Sequence, residues 1–147
     1  MATVKQLLDE KGYDIWSINP RKSVYDAIKL MAEKDIGALL VLENGTIVGT
    51  ITERDYARSI ALKGKTSPET LVREIMEYPF FTVGLRDNVD TCMALITAHR
   101  VRHLPVVSDG RPIGMISIGD LVRSIISDQR HTIRHLEHYI TGQTMNG

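Results

Sequence analysis

Two hydroxyl–carboxylate pairs carry the clearest chemistry in this sequence: Thr52 with Asp55 in "GTITERD", and Ser117 with Asp120 in "GMISIGD". Each hydroxyl precedes its carboxylate by three residues, the spacing of a capping box that ties up backbone donors at a helix start. The same spacing can aim both groups at a ligand. A carboxylate accepts hydrogen bonds from both vicinal hydroxyls of a ribose, and a hydroxyl donates or accepts. The free N–H groups and positive dipole end of the helix behind them favour phosphate. A single box arises easily by chance and then means only a cap. Here it occurs twice, each time after a strand with a glycine three residues before the hydroxyl, Gly49 or Gly114. A glycine weakens a strand and marks close approach by another backbone or by a ligand. A threonine can cap while its aspartate faces outward, so the two roles are compatible.

The pairs belong to an internal repeat. "DIGALLVLENGTIVGTITERDYAR" (35–58) aligns without gaps on "RVRHLPVVSDGRPIGMISIGDLVR" (100–123), at an offset of 65. Leu39/Leu104, Val41/Val106, Gly45/Gly110, Gly49/Gly114, Ile51/Ile116, Asp55/Asp120 and Arg58/Arg123 are identical across it. Upstream, Trp16-Ser17-Ile18 matches Phe81-Thr82-Val83, and Val24 and Leu30 match Val89 and Leu95. Two copies are too few for a solenoid and suit a paired, pseudo-twofold domain.

Each copy predicts strand–helix–strand–strand–helix. The first strands fall at 15–18 and 80–83. The helices follow at Val24, Ala27, Ile28, Met31 and at Val89, Cys92, Met93, Ile96, one apolar face each. Ser23 and Asn88 are their candidate caps. Apolar runs "ALLVL" and "HLPVV" lead into Asn44-Gly45 and Asp109-Gly110, pairs that accept the positive φ of a tight hairpin. Second strands and closing helices follow, the helices from about 53 and 118. Pro105, lacking an N–H, is expected where no ladder bond is needed. Near-continuous apolar strands imply sheets covered on both faces, so the copies should pack on each other. Between them, Ser67-Pro68-Glu69 reads as a helix cap with proline in the first turn. Beyond the second copy, Ile133, Leu136 and Ile140 predict a short amphipathic helix, with Gly142 as its stop and the last residues frayed. The expected division is 1–66, N-terminal extension plus first unit; 67–128, connector helix plus second unit; and 129–147, C-terminal helix and tail.

A chain of 147 residues suits one domain or two small halves sharing a core. Eighteen basic side chains balance eighteen acidic ones, so no global field draws nucleic acid or an acidic membrane. The single cysteine, Cys92, excludes an internal disulfide and fits a reducing compartment. No apolar run has signal-peptide or membrane-span length, and a cytoplasmic location is expected.

The units "ALLVLENGTIVGTITERD" and "HLPVVSDGRPIGMISIGD", in tandem, resemble cystathionine β-synthase (CBS) domains over about residues 13–127. The resemblance implies a stand-alone Bateman module of class α+β: two β-α-β-β-α units packed through their sheets, with short terminal extensions. Two clefts between the units would each suit an adenosine-containing ligand such as AMP, ATP, NAD or S-adenosylmethionine. One cleft would use Ser117, Gly119 and Asp120 for ribose, Arg102 and His103 toward phosphate, and Trp16, Ile36, Gly37 and Ala38 toward adenine. The other would use Thr52, Arg54 and Asp55, with Phe81, Val101 and Arg102 on its base side. Copy one has Gly37-Ala38 where copy two has Arg102-His103, so unequal clefts are expected, with phosphate preferring the Asp120 side. His103, near pKa 6.5 if unperturbed, would make affinity fall as pH rises.

The resemblance implies a regulatory sensor that is not an enzyme and needs no catalytic cofactor. With no effector domain expected, it would act on a protein partner in trans or through its own homodimer. A structural assembly module with vestigial clefts is the first alternative and a small nucleotide hydrolase the second, the latter disfavoured for want of a nucleophile–base pair. His131, His135 and His138 share one helical face, but no cysteine or carboxylate pair completes a metal site, and a polar stripe explains them. Cys92, at the place of Ala27, is expected as a small core residue. Arg58 and Arg123 fit a solvated helix face as well as they fit phosphate steering, and Trp16 and Phe81 fit core aromatics as well as stacking partners.

Overall fold

The two hairpins organise the chain. A computed structural model describes residues 2–78 and 80–140. In the first half, β2 (Ala38–Glu43) and β3 (Thr46–Thr52) pair antiparallel through a turn at Asn44 and Gly45, both with positive φ. In the second half, β4 (His103–Ser108) and β5 (Arg111–Ser117) do the same through Asp109 and Gly110. Both hairpins shift register at matching places, after Val41 and after Val106. The helices preceding them are α2 (Val24–Lys34) and α5 (Val89–His99), capped as expected by Ser23 on the Asp26 N–H and by Asn88 on the Thr91 N–H. The fold is α+β, with two pseudo-twofold units.

The first strands differ between halves. β1 (Ser17–Ile18) pairs parallel with β2, and the Leu40 N–H donates to the Trp16 carbonyl at 3.1 Å. The residue matching Leu40 is Pro105, which has no N–H to offer Phe81. The strand expected at 80–83 is therefore reduced to a single bridge, Val83 with Val106. Pro105 sits where a ladder bond would have formed, and its carbonyl still accepts from the Val83 N–H at 3.0 Å.

One helix was not expected, and another starts later than expected. An N-terminal helix, α1 (Val4–Lys11), starts at a capping box between Thr3 and Gln6. The connector helix is short, α4 (Val72–Ile75), and begins at Leu71; Ser67 and Pro68 lie in a turn before it, where the Ser67 carbonyl accepts from the Tyr25 N–H. Each docks on the other half. Val4, Leu7 and Leu8 of α1 pack into the second unit's core with Val83, Val89, Cys92, Leu104 and Ile116. Val72 and Ile75 of α4 pack into the first unit's core with Val24, Met31, Leu39 and Ile51. The pairing is symmetric: Thr3 bridges Asn88, and Leu71 bridges Ser23. Chain order and spatial grouping thus part company within residues 1–66.

Gly49 and Gly114 are explained by this exchange. A Cβ on Gly114 would lie 2.9 Å from Leu8 Cδ2, and one on Gly49 would lie 2.9 Å from the Glu77 carbonyl oxygen and from Met76 Sδ. The close approach inferred from sequence is made by the chain itself and not by a ligand.

The closing helices also differ. In the first unit α3 (Glu53–Tyr56) passes into a π-helical segment, Ala57–Ala61. In the second, α6 runs unbroken from Ile118 to Ile140, so the closing helix and the expected C-terminal helix are one element. The stop expected at Gly142 and the tail beyond it lie outside the described residues. The sheets meet on the faces turned from these helices: Ala38, Leu40 and Thr50 are buried but belong to neither helical core.

Candidate functional site

Both hydroxyl–carboxylate pairs close their helices. The Asp120 N–H donates to Ser117 Oγ at 3.2 Å, while Asp120 Oδ2 accepts from the Ser117 N–H at 2.8 Å and the Ser117 hydroxyl at 3.0 Å. Thr52 and Asp55 repeat the arrangement with the same three distances. The surroundings of the two carboxylates are what differ.

Asp120 is 8% exposed and held by two cations. Lys11 Nζ, brought across by α1, donates to Oδ2 at 2.7 Å and to the Met115 carbonyl at 2.7 Å. Arg123 Nη2, one turn along α6, donates to Oδ1 at 2.6 Å. Burial pushes the Asp120 carboxyl up, but the bonds from Lys11 and Ser117 outweigh it and hold the group below its ordinary range. Beside it lies a cavity of about 390 Å³ between the units. Its walls include Trp16, Ile36, Gly37 and Ala38 from the first unit, and His103, Met115, Ser117 and Asp120 from the second. Lys11, Asp14, Asp35 and Arg123 also line it. The Trp16 ring is partly exposed on this wall, with Lys34 Nζ 4.4 Å from its centre.

The pseudo-symmetric cleft is smaller, about 120 Å³, and lined by Gly37, Thr50, Thr52, Glu53, Arg54, Glu77, Arg100, Val101, Arg102 and His103. Glu77 is its distinctive member. Its backbone pairs with Thr50, the residue matching Met115, the Glu77 N–H donating to the Thr50 carbonyl at 2.7 Å. The corresponding carbonyl in the other half receives Lys11. Burial, the Asp55 charge and a hydrogen bond to Asp55 together raise the Glu77 carboxyl to about 7. One cleft therefore sets a lysine beside its aspartate, and the other a glutamate.

Of the expected residues, Trp16, Ile36, Gly37, Ala38, His103, Ser117 and Asp120 come together around the larger cavity. Thr52, Arg54, Val101 and Arg102 come together around the smaller one. Gly119 lies on the first turn of α6 near Arg123 and outside both described linings. Asp55 also stands outside them, turned onto Thr52. Phe81 is directed elsewhere: its ring stacks on His99, centroids 3.6 Å apart and planes 10° apart, and packs against the second core. His103 is corrected as a pH sensor. Burial first, then the Lys11 charge, lowers it to about 4, so it stays neutral across the physiological range. Its Nδ1 is buried with no hydrogen-bond partner among the described residues. Cys92 is fully buried, and its thiol is pushed up to about 11 by burial. On α6, His131 and His135 meet each other, Nε2 to Nε2 at 2.8 Å.

Lys11 and Glu77 escaped the sequence reading. A signal existed: "VKQLL" (4–8) repeats as "VREIM" (72–76), but three residues out of register with the main repeat. That repeat locates the helices. It does not say that each crosses to the opposite half.

Among the described residues no helix is long and apolar enough to cross a membrane. The CBS domain family model matches residues 4–62 and 72–127. A CBS domain-containing protein from Arabidopsis thaliana, CBSX3, named as mitochondrial, is 42% identical over 96% of this chain and 73% of its own length. The solved structure of a putative signal-transduction protein with CBS domains from Burkholderia ambifaria is 51% identical, covers 87% of this chain and 96% of its own, and superposes with a TM-score of 0.83. The CBS domain pair of protein MJ0100, solved with 5'-methylthioadenosine and S-adenosyl-L-methionine, is 25% identical over 87% of this chain and 98% of its own, with a TM-score of 0.76. The chain belongs to the CBS domain family, as a tandem pair.

Proposed function

We propose that this CBS-domain pair is a regulatory sensor whose Asp120 cleft binds an adenosine-containing ligand carrying phosphate, with AMP, ATP or NAD ahead of S-adenosylmethionine. The observation that carries the reading is the difference in space and charge between the clefts. About 390 Å³ lies within the range of small-molecule sites, and about 120 Å³ falls below it. Of the two cap aspartates, Asp120 is the one ion-paired to two cations among the described residues. Ser117 and Asp120 would take the ribose hydroxyls, and Trp16, Ile36, Gly37 and Ala38 the base. The phosphate role expected of Arg102 passes to Lys11 and Arg123, since Arg102 lines the other cleft. Gly119 would contribute only through the tight first turn of α6.

Asp120 is already satisfied by Lys11 and Arg123, so a ribose must displace one of them. A phosphate makes that exchange favourable by giving the released cation a new partner. Occupancy then changes how α1, which bears Lys11, is held. That is the differential contact a sensor requires. Output would pass to a protein partner in trans, or through self-association, in a reducing compartment such as the cytoplasm. The chemistry asks for no catalytic cofactor. The smaller cleft, with Thr52, Arg54, Asp55, Val101 and Arg102, would bind phosphate poorly while Glu77 is ionised.

Thermal unfolding with AMP, ATP, NAD, S-adenosylmethionine and adenosine tests the reading. A bound ligand at about 100 times its dissociation constant stabilises by roughly 2.7 kcal/mol. No shift with any of them would favour a structural assembly module, the reading that the satisfied state of Asp120 also supports.

A further inference from the structure

Two imidazoles on α6 bring their ring nitrogens together. His131 and His135 stand one turn apart on an exposed stretch of the helix, the i, i+4 spacing that makes side chains neighbours. Their Nε2 atoms are 2.8 Å apart, with ring centroids 4.4 Å apart and planes inclined at 75°. A neutral N–H···N bond is the plain account of that contact, yet in the open it only replaces bonds to water and gains little. With both protons on Nδ1, the two Nε2 lone pairs are left for one ion to bridge. The distance says which ion. At bonds of about 2.0–2.1 Å, two imidazole nitrogens at a right angle on one ion lie about 2.8–3.0 Å apart, and two at the tetrahedral angle about 3.3–3.4 Å. The observed separation is that of neighbouring ligands on a tetragonal or octahedral ion, the geometries of Cu²⁺ and Ni²⁺, and is short for tetrahedral Zn²⁺.

We infer that His131 and His135 form a two-histidine chelate for a divalent transition-metal ion of tetragonal or octahedral preference, Cu²⁺ binding ahead of Ni²⁺ and both ahead of Zn²⁺. Spacing alone fits a polar stripe equally well; the distance between the two nitrogens is what favours the chelate. Neighbouring charge narrows the choice in the same direction. A groove of about 580 Å³ beside His131 is lined by Arg123, Arg130 and Arg134 together with Ile126 and Ser127. Those arginines oppose Mg²⁺ and Ca²⁺, which depend on carboxylate oxygens. An ion with a strong preference for imidazole is better able to bind beside them. The groove leaves room for water or an anion at the remaining coordination positions, since among the described residues no third histidine, cysteine or carboxylate completes a group with the pair. With two protein ligands the site is an exchangeable one, unlike a closed structural centre with four. Neither histidine lines the Asp120 cavity, so the site stands apart from the proposed nucleotide binding. It ties together one turn of the helix whose start carries Asp120 and Arg123, giving α6 a second ligand of different chemistry.

Calorimetric titration of the full chain with NiCl₂ or CuCl₂ in a non-coordinating buffer, without nucleotide, tests the site, with ZnCl₂ and MgCl₂ as comparisons. One ion per chain is expected, tightest for Cu²⁺, then Ni²⁺, then Zn²⁺, with no binding of Mg²⁺. His131→Ala and His135→Ala should each weaken Ni²⁺ at least tenfold, and the double variant little further, because a chelate is lost with either arm. Both side chains are exposed, so the melting temperature without metal should stay that of the parent. His138→Ala should leave Ni²⁺ binding within about twofold of the parent. The electron paramagnetic resonance spectrum of bound Cu²⁺ should show two equatorial nitrogens and lose that pattern in either single variant. No Ni²⁺ or Cu²⁺ bound at about 1 mM, a double variant that binds as tightly as the parent, an equal loss in His138→Ala, or Zn²⁺ bound more tightly than Ni²⁺ would overturn the inference. The nucleotide result in the thermal assay bears on none of these outcomes.

Discussion

The two clefts begin from one sequence pattern and end in opposite electrostatics. At Asp120 the partner carbonyl, Met115, receives the ammonium of Lys11; at Asp55 the matching carbonyl, Thr50, receives the backbone N–H of Glu77. The carboxylates make the same cap with the same geometry. What differs is the segment that crosses over from outside the main repeat: α1 has eight residues and reaches Asp120 with a lysine, while α4 has four and leaves a glutamate beside Asp55. A duplicated motif therefore does not make a duplicated site. The exchanged helices, which lie outside the aligned units, decide which charge stands beside each aspartate.

The largest effect that could break this contrast is on binding. Asp120→Asn should weaken AMP about 100-fold by calorimetry, the worth of two ribose hydrogen bonds to a charged acceptor. Asp55→Asn should change it less than about threefold. Equal losses would mean that the clefts are equivalent after all. Stability supplies the next test. Gly49→Ala pushes a Cβ onto a fixed backbone carbonyl and should cost about 2–3 kcal/mol, while Gly114→Ala meets the end of the Leu8 side chain, which can turn aside, and should cost about 1 kcal/mol. Urea unfolding that ranks them the other way would contradict the docking described for α1 and α4.

Lys11→Met sharpens the contrast further. AMP should bind about tenfold more weakly and adenosine no more weakly than to the parent protein, because the role proposed for the lysine is to read phosphate while competing with ribose for Asp120. A parallel loss of both ligands would reduce Lys11 to a structural contact. The smallest effect concerns pH. The Glu77 carboxyl is raised to about 7, so the protonated form contributes stability that is complete below about 4.5 and lost as pH rises through 7. Glu77→Gln should remove that part of the decline between pH 5 and 8, roughly 1–2 °C in Tm, its partial exposure keeping the effect small. A decline unchanged by the substitution would place the titrating group elsewhere.

Legibility was uneven for reasons that particular residues show. The hairpin turns could be read because Asn44-Gly45 and Asp109-Gly110 accept positive φ almost wherever they stand. The helix caps at Ser23 and Asn88 could be read because a cap needs only its own first turn. The strand at 80–83 was overestimated: Phe80-Phe81-Thr82-Val83 has strand-forming side chains, but the missing donor is on Pro105, more than twenty residues away. The cleft linings were half legible. Residues of the repeat, such as Trp16, Gly37, His103 and Ser117, converge as expected. Phe81 turns to His99, a nearer partner; Asp55 makes the same cap as Asp120 but has Glu77 in place of Lys11 beside it. His103 was given a solution pKa, and burial with Lys11 alongside removed it.

Taken alone, the sequence determined the duplication, the order of elements within each unit, the two capped hydroxyl–carboxylate pairs and the family, because these depend on local spacing and on repetition. Only the tertiary structure decided that α1 and α4 trade places, that Lys11 and not Glu77 stands beside the buried aspartate, and that one cleft is three times the volume of the other. Charge and space at a site are set by whatever packs there from a distance, and packing partners far apart in the chain leave no periodicity in the sequence to read.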